Sequence, residues 1–278
     1  MGVLAYLGPQ GTFSEQVAEV IQQRLGQSVQ LSAYPSIMAT LEAVAGGEVE
    51  WGVVPVENSL EGGVAATLDG CWQLEGIHIH HAYVLPIRYA LVSAAPTLAQ
   101  IQRVYSHPQA LGQCRMWLHE TLPQAVLMPS GSTTAELPQV KSGDPQVAVI
   151  CSARTARQGG WPVLATVTGQ DHNQTRFWVL HRHPSPGGSL TSLALSLPEN
   201  VPGALLKPLQ IFAERQLNLA RIESRPSKKS AGTYVFFLDV EHTNQQFLDP
   251  VVIDALTAVA ERLRIFGSYP LFQVNGDP

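Results

Sequence analysis

Small polar residues beside glycine or proline recur along this chain, a setting in which they hold anions and hydrogen-bond leaving groups. Gly8-Pro9-Gln10-Gly11-Thr12-Phe13-Ser14 is a glycine-bearing turn that opens a helix. Such a turn exposes unpaired backbone N–H groups and the positive end of the helix dipole, where carboxylates bind. Gly11, Thr12 and Ser14 are therefore candidate contacts, although an ordinary strand–helix turn looks the same. Glu57-Asn58-Ser59, followed by Glu61-Gly62-Gly63, stands just past an apolar strand, where ligands of open α/β sheets gather. Asn58 or Ser59 equally suits a helix N-cap. Ser106-His107-Pro108 follows another strand, with Pro108 placed for the first helical position and His107 as cap or contact. Gln109 and Gln113 lie four apart on one helical face. Thr133, after Ser130-Gly131-Ser132, is a further carboxylate-docking position. Thr175-Arg176-Phe177 begins a late strand. Alternation puts Thr175 and Phe177 on one face and Arg176 on the other, unless the strand start is irregular. Arginine in itself suits carboxylates, because its fork binds them bidentately.

The elements that must position these residues alternate. Val3–Leu7 reads as a strand, followed by a helix in which Thr12 and Glu15 fit a capping box and Phe13, Val17, Val20, Ile21 and Leu25 recur at helical spacing,. A strand at 29–34, a helix from Ser36 to Ala45 and a strand from Trp51 to Val56 continue the series, which predicts an open α/β sheet. Extended strands from Ile77 to Val92 lead into a second βα series: strand 104–106, helix 108–122, strand 125–128, helix 132–141 and strand 147–150. Thr175 to His183 then returns as a strand. A chain that leaves one sheet, builds a second and comes back predicts two lobes with a cleft between them. His183-Pro184-Ser185-Pro186-Gly187-Gly188-Ser189 is a linker. Beyond it, strand 190–197, helix 202–214, strands 218–225 and 232–241, helix 248–263 and strand 264–271 give the βαββαβ order of a ferredoxin-like unit.

Bulk properties narrow the function. Hydrophobic residues make up 45% of the 278 and charged residues 14%, enough apolar content for real cores,. The net charge of −5 gives no general attraction to nucleic acid or anionic lipid,, and Lys228-Lys229 reads as a solvated loop pair. No apolar run is long enough to span a bilayer, and no secretory or lipidation signal opens the chain. Cys71, Cys114 and Cys151 are far apart and read as buried free thiols of a cytoplasmic protein. His78 and His80 share a strand face at a spacing compatible with a metal, but no Cys, Asp or Glu completes a set nearby, so no metal is expected.

Taken in order, Gly8-Pro9-Gln10-Gly11-Thr12-Phe13-Ser14, Pro55-Val56-Glu57-Asn58-Ser59, Ser106-His107-Pro108, Thr175-Arg176-Phe177, Pro202-Gly203-Ala204-Leu205 and Ile222-Glu223-Ser224-Arg225-Pro226 span nearly the whole chain and resemble the prephenate dehydratase family. The resemblance implies a two-lobed, periplasmic-binding-protein-like catalytic domain over 1–183, with lobe one about 1–80 and 166–183 and lobe two about 81–165, then an ACT regulatory domain over 190–272. It implies no cofactor, prephenate as substrate, and catalytic roles for Thr175, Glu57, Asn58, Ser106 and Gln113. Gly11, Thr12, Ser14, Ser59, His107, Thr133, Arg176 and Phe177 would bind the substrate. It further implies feedback inhibition by phenylalanine at Gly203, Ala204, Leu205, Asn218, Glu223, Ser224, Arg225 and Pro226, between paired ACT domains of a homodimer or homotetramer. Gln170-Asp171-His172-Asn173-Gln174 looks shortened against the family pattern, which leaves Asp171 and Asn173 without an assigned role. No chorismate mutase segment precedes the first motif, so a single activity is expected.

Prephenate must lose carbon dioxide and hydroxide, and aromatisation drives the step. Thr175 is expected to orient and stabilise the leaving oxygen, since its pKa lies far above the range of general acids. Glu57 and protonated His107 stand as alternative acids. Arogenate dehydratase shares these motifs. A non-catalytic amino-acid sensor would have no need of Thr175, Glu57-Asn58-Ser59 and Ser106-His107.

Overall fold

The computed structural model describes residues 2–26, 28–167, 173–228, 232–242 and 246–274. Gln170, Asp171, His172 and Lys229 lie outside the described residues. Strand β1 (Val3–Leu7) leads into helix α1 (Phe13–Leu25), and the expected cap forms there. Thr12 Oγ1 accepts from the Glu15 N–H, and the Glu15 carboxylate accepts from the Gly11 N–H at 2.6 Å,. The alternation continues through β2 (Gln30–Tyr34), α2 (Ile37–Ala45), β3 (Trp51–Asn58), the short β4 (Gly62–Gly63), α3 (Ala65–Gln73) and β5 (His78–Pro86). A crossover at Ile87 and Arg88 opens lobe two: β6 (Tyr89–Ser93), β7 (Arg103–Ser106), α4 (Pro108–Gln113), α5 (Arg115–Thr121), β8 (Val126–Pro129), α6 (Leu137–Lys141), β9 (Val147–Ser152), α7 (Ala153–Gln158) and β10 (Val163–Val167). β11 (Gln174–His181) returns to lobe one. The remainder is β12 (Leu190–Ser196), α8 (Leu206–Glu214), β13 (Asn218–Pro226), β14 (Tyr234–Glu241), α9 (Pro250–Val259), β15 (Arg262–Tyr269) and β16 (Leu271–Gln273).

Among the described residues the strands form three sheets. Lobe one is ordered β16-β5-β11-β3-β1-β2, with β4 paired to β3. Lobe two is β10-β6-β9-β7-β8, and the C-terminal sheet is β13-β14-β12-β15. One core joins the lobes: Leu4, Val17, Ile21 and Phe177 meet Leu91, Val104 and Ile150 through Ile87 and Tyr89. A second core lies between the other face of the lobe one sheet and the C-terminal sheet, where Val54, Val56, Trp178 and Leu180 pack with Ala194, Phe237 and Phe266. The sheets approach closely at Gly267 (φ +148°), where a Cβ would stand 2.7 Å from the Ile79 carbonyl oxygen. Only glycine meets both conditions.

Several expected boundaries move, each for a local reason. The lobe crossover falls at 87–88 rather than 80–81, because β5 runs on to Pro86 beside β11. The helix expected over 108–122 breaks at Cys114 into α4 and α5, just after Gly112, a poor helix residue,. The helix expected from Ser132 starts at Leu137. Ser132 Oγ instead accepts from the N–H groups of Thr134 and Ala135 in a turn,. The helix expected from 202 starts at Leu206, leaving Gly203, Ala204 and Leu205 in the preceding turn. The final strand divides, and β16 leaves the C-terminal sheet to pair in parallel with β5 of lobe one.

Candidate active site

A cleft of about 410 Å³ lies between the lobes. Lobe one lines it with Thr12, Phe13 and Ser14 at the start of α1, Asn58 at the end of β3, and Thr175 and Phe177 on β11. Lobe two contributes His107, Gln109 and Gln113 around α4, and the Gly131-Ser132-Thr133 turn. Ile37, Pro55, Val64 and Ile87 give an apolar wall. Phe13 and Tyr89 stand edge to face in the cleft, with ring centroids 5.5 Å apart.

Asn58, which is 5% exposed, is the junction of the polar groups. Its Nδ2 donates to Asn173 Oδ1 at 2.8 Å and to Thr175 Oγ1 at 3.0 Å, with the Gln174 carbonyl at 3.2 Å as a further acceptor. Its Oδ1 accepts from the N–H groups of Leu60 and Glu61 at 3.0 and 3.2 Å. Since Thr175 Oγ1 is already an acceptor, its own proton is left to donate elsewhere, and the cleft is where the side chain faces,. Asn173 Nδ2 donates to Gln113 Oε1 at 2.9 Å, and the Tyr89 hydroxyl donates to the same oxygen at 3.0 Å. Gln113 Nε2 donates at 2.9 Å to the Glu61 carboxylate across the cleft mouth, which Gln109 also reaches.

The predicted residues therefore divide. Thr12, Ser14, Asn58, His107, Gln113, Thr133, Thr175 and Phe177 come together around the cleft. His107 also caps α4, its Nδ1 accepting from the Gln109 N–H at 3.3 Å. Gly11 lies beside the cleft, its carbonyl accepting from Thr155 Oγ1 of lobe two at 2.8 Å. Ser59 grips the strand instead: its N–H donates to the Gln174 carbonyl at 2.9 Å, and its Oγ accepts from the Gln174 N–H at 3.0 Å. Ser106 is fully buried, and its hydroxyl donates at 2.7 Å to the Ile150 carbonyl of the neighbouring strand. It braces the lobe two sheet rather than facing the cleft.

Glu57 and Arg176 require the larger correction. Thr175 pairs in register with Asn58, and Arg176 with Glu57. Alternation turns the second pair to the opposite face of the sheet, against the C-terminal domain. There Arg176 Nη2 donates to Glu57 Oε2 at 2.9 Å and to Asp239 Oδ2 of β14 at 2.5 Å. Burial works against the Arg176 charge, but Asp239, Tyr269 and Glu57 hold it protonated, above the ordinary arginine value. Neither side chain is available to a ligand in the cleft.

The C-terminal motifs also meet lobe one. A bulge between Leu219 and Arg221 of β13 sets Arg221, Glu223 and Arg225 towards it. Arg221 reaches Glu57 at 3.7 Å and Asp239 at 3.8 Å. The Glu223 carboxylate lies against Gly63. Arg225 makes two 3.1 Å bonds to Asp69 of α3. Burial pushes the Asp69 carboxyl up, but Arg225 and Lys228 bring it below the usual carboxylate value. Asn218 Nδ2 donates to Glu241 at 2.7 Å, while Ser224 and Pro226 are exposed. Among the described residues no group of His, Cys, Asp and Glu could hold a metal ion, and no helix is long and apolar enough to cross a membrane.

A hinged cleft that collects amide, hydroxyl and helix-start groups over an apolar wall, locked to a ferredoxin-like unit, defines an enzyme body carrying a small-molecule sensor domain. Comparison with known proteins agrees. The family model for prephenate dehydratase matches residues 4–185, and that for the ACT domain matches residues 191–247. The chain belongs to the prephenate dehydratase family, and its activity is that of a lyase, the decarboxylating dehydration of prephenate. The prephenate dehydratase of Lactococcus lactis subsp. lactis is 34% identical over 280 residues, covering 98% of this chain and 99% of that one. The crystal structure of prephenate dehydratase from Arthrobacter aurescens in complex with L-Phe is 36% identical with a TM-score of 0.82, covering 96% of this chain and 90% of that one. A structure of GqqA, described as a novel type of quorum quenching acylase, is 27% identical with a TM-score of 0.76, covering 97% and 98%.

Proposed function

We propose that the cleft binds prephenate with its ring between Phe13, Phe177 and the apolar wall, and that Thr175 donates to the departing ring oxygen. The observation that carries this is the bond from Asn58 Nδ2 to Thr175 Oγ1 at 3.0 Å, which commits the threonine oxygen as acceptor and leaves its proton for the leaving group. The helix start at Thr12–Ser14 and the turn at Thr133 supply donors for the side-chain carboxylate. The ring carboxylate leaves as carbon dioxide, and an apolar surround does not over-stabilise its anion. The C–C bonding pair moves into the ring, the C–O bond breaks, and the oxygen leaves as water after taking one proton. Thr175 orients that oxygen, and His107 is the cleft group able to supply the proton.

Phenylalanine is the proposed regulator, bound at the turn of Gly203, Ala204 and Leu205 and at β13. Support comes from the Arthrobacter aurescens complex and from the contacts that Arg221, Glu223 and Arg225 make with lobe one. A homodimer or homotetramer is the proposed assembly. β13 is an edge strand, and Ile222 on it, Leu206 just after the Gly203–Leu205 turn and Tyr234 on the neighbouring β14 stand exposed,. Buried free thiols at Cys71, Cys114 and Cys151 suit a reducing cytoplasm,. The test is phenylpyruvate formation from prephenate by the full chain, with and without phenylalanine, with arogenate and an N-acyl amide in parallel. Prephenate turnover suppressed by phenylalanine is expected. Turnover of arogenate alone, or hydrolysis of the amide alone, would replace the reading.

A further inference from the structure

Asn173 stands where the two lobes join. Its segment carries the chain from β10 back to β11, and its carbonyl accepts at 2.8 Å from the N–H of Ile87, at the other crossover. The side chain is 4% exposed, and both ends of its amide are engaged. Oδ1 accepts from Asn58 Nδ2 at 2.8 Å in lobe one, and Nδ2 donates to Gln113 Oε1 at 2.9 Å in lobe two. Both partners line the cleft.

We propose that Asn173 is a positioning residue that fixes the amide orientations of Asn58 and Gln113 together, and through Asn58 the direction of the Thr175 hydroxyl. The proposal rests on the cleft being the site of prephenate turnover. The argument is one of donors and acceptors. The two ends of a side-chain amide have nearly the same shape and opposite hydrogen-bonding character. If the Asn58 amide turned over, its oxygen would face Thr175 Oγ1, and the threonine proton would be drawn to it instead of to the leaving oxygen. The Asn173 acceptor and, at a longer 3.2 Å, the Gln174 carbonyl on one side, and the Leu60 and Glu61 N–H groups on the other, hold the productive orientation. Gln113 is held the same way, with Oε1 between Asn173 Nδ2 and the Tyr89 hydroxyl, so that Nε2 points across the cleft mouth. One buried amide at the hinge thus orders a polar group in each lobe, and the set is complete only when the lobes are together.

The test measures kcat and KM for prephenate across pH, with Tm, for Asn173→Ala, Asn173→Asp, Gln113→Ala and the double variant Asn173→Ala with Gln113→Ala. Asn173→Ala should lower kcat about 10- to 100-fold, less than the roughly 100- to 1,000-fold of losing a donor that touches the reacting oxygen itself, with little change in KM. Its effect and that of Gln113→Ala should be non-additive, because one acts through the other. Asn173→Asp keeps the shape. When protonated it makes both bonds; when ionised it loses the donor to Gln113. Its kcat should therefore rise as pH falls relative to the native chain, a signature that a packing role would not give and that remains readable if Asn173→Ala does not fold. Native-like kcat in Asn173→Ala, additivity with Gln113→Ala, or no pH dependence peculiar to Asn173→Asp would overturn the proposal. Asn58→Ala separates the two levels. Native turnover there sinks the reading of the cleft itself, whereas loss there with none in the Asn173 variants sinks the positioning role alone.

Discussion

Replacing Arg176 by Met tests whether this arginine serves the substrate or the domain interface. Its side chain is 11% exposed, and it neutralises Asp239, which is 2% exposed. Removing one partner of a buried pair typically costs about 3–5 kcal/mol, because the remaining charge is stranded. Asp239 keeps the Ser192 hydroxyl at 2.5 Å and Arg221 at 3.8 Å, so the lower end, about 3 kcal/mol, applies. At roughly 2–4 °C per kcal/mol for a chain of this size, Tm should fall by about 6–12 °C. Adding Asp239→Asn removes the stranded charge and should recover much of the loss. The assay is thermal unfolding of native, single and double variants beside KM for prephenate. KM should change little, since Arg176 faces away from the cleft. A large rise in KM with unchanged Tm would refute the reasoning and return Arg176 to the substrate.

Thr175→Ala should cut kcat by about 100-fold or more while Tm stays near native, because one donor to the leaving oxygen is lost from a folded cleft; kinetics and thermal unfolding together check it. Glu223→Ala should weaken phenylalanine inhibition without abolishing turnover, since its carboxylate sits against Gly63 rather than in the cleft; an unchanged inhibition curve would place the sensor elsewhere. His81 provides a pH test. Burial, then His80 and Arg24, push its pKa down from 6.5 to about 4, so the folded state favours the neutral ring. Its stabilising contribution is whole above the unfolded value and is lost as pH falls from 6.5 towards 4. At ~1.4 kcal/mol per unit, reduced for solvent access, the loss is about 1–2 kcal/mol. His81→Gln should therefore show a shallower decline of Tm with acidification than the native chain; parallel declines would contradict the assignment.

What was legible in the sequence was local. Thr12 with Glu15, and Pro108 after His107, mark helix starts through bonds made within a few residues, and the structure has both. Strand period alone placed Thr175 and Phe177 on the face opposite Arg176. The same period, applied one strand away, separates Glu57 from Asn58, a step hidden by treating Glu57-Asn58-Ser59 as one polar unit. Ser106 looked functional because a serine after a strand looks the same whether its hydroxyl meets a ligand or the Ile150 carbonyl. Glu61 and Asn173 were missed as cleft-ordering groups because their partners lie across the hinge, and Tyr89 because its partner Gln113, though in the same lobe, is 24 residues away. Local spacing does not encode which of two lobes a side chain will meet.

The pairing of β16 with β5 makes the C-terminal domain, mechanically, an insertion rather than an appendage. It hangs from lobe one by two tethers, the linker after β11 and the return into β16 after β15. A twist of that domain cannot be absorbed by one slack connection, so it is delivered to the sheet that holds Asn58 and Thr175. The same stitching governs dissection of the chain. Cutting at the linker would strip an edge strand from the catalytic lobe and bare β5 to pairing with other chains. Low solubility of such a fragment would then report a torn sheet, not a dependence of catalysis on the sensor.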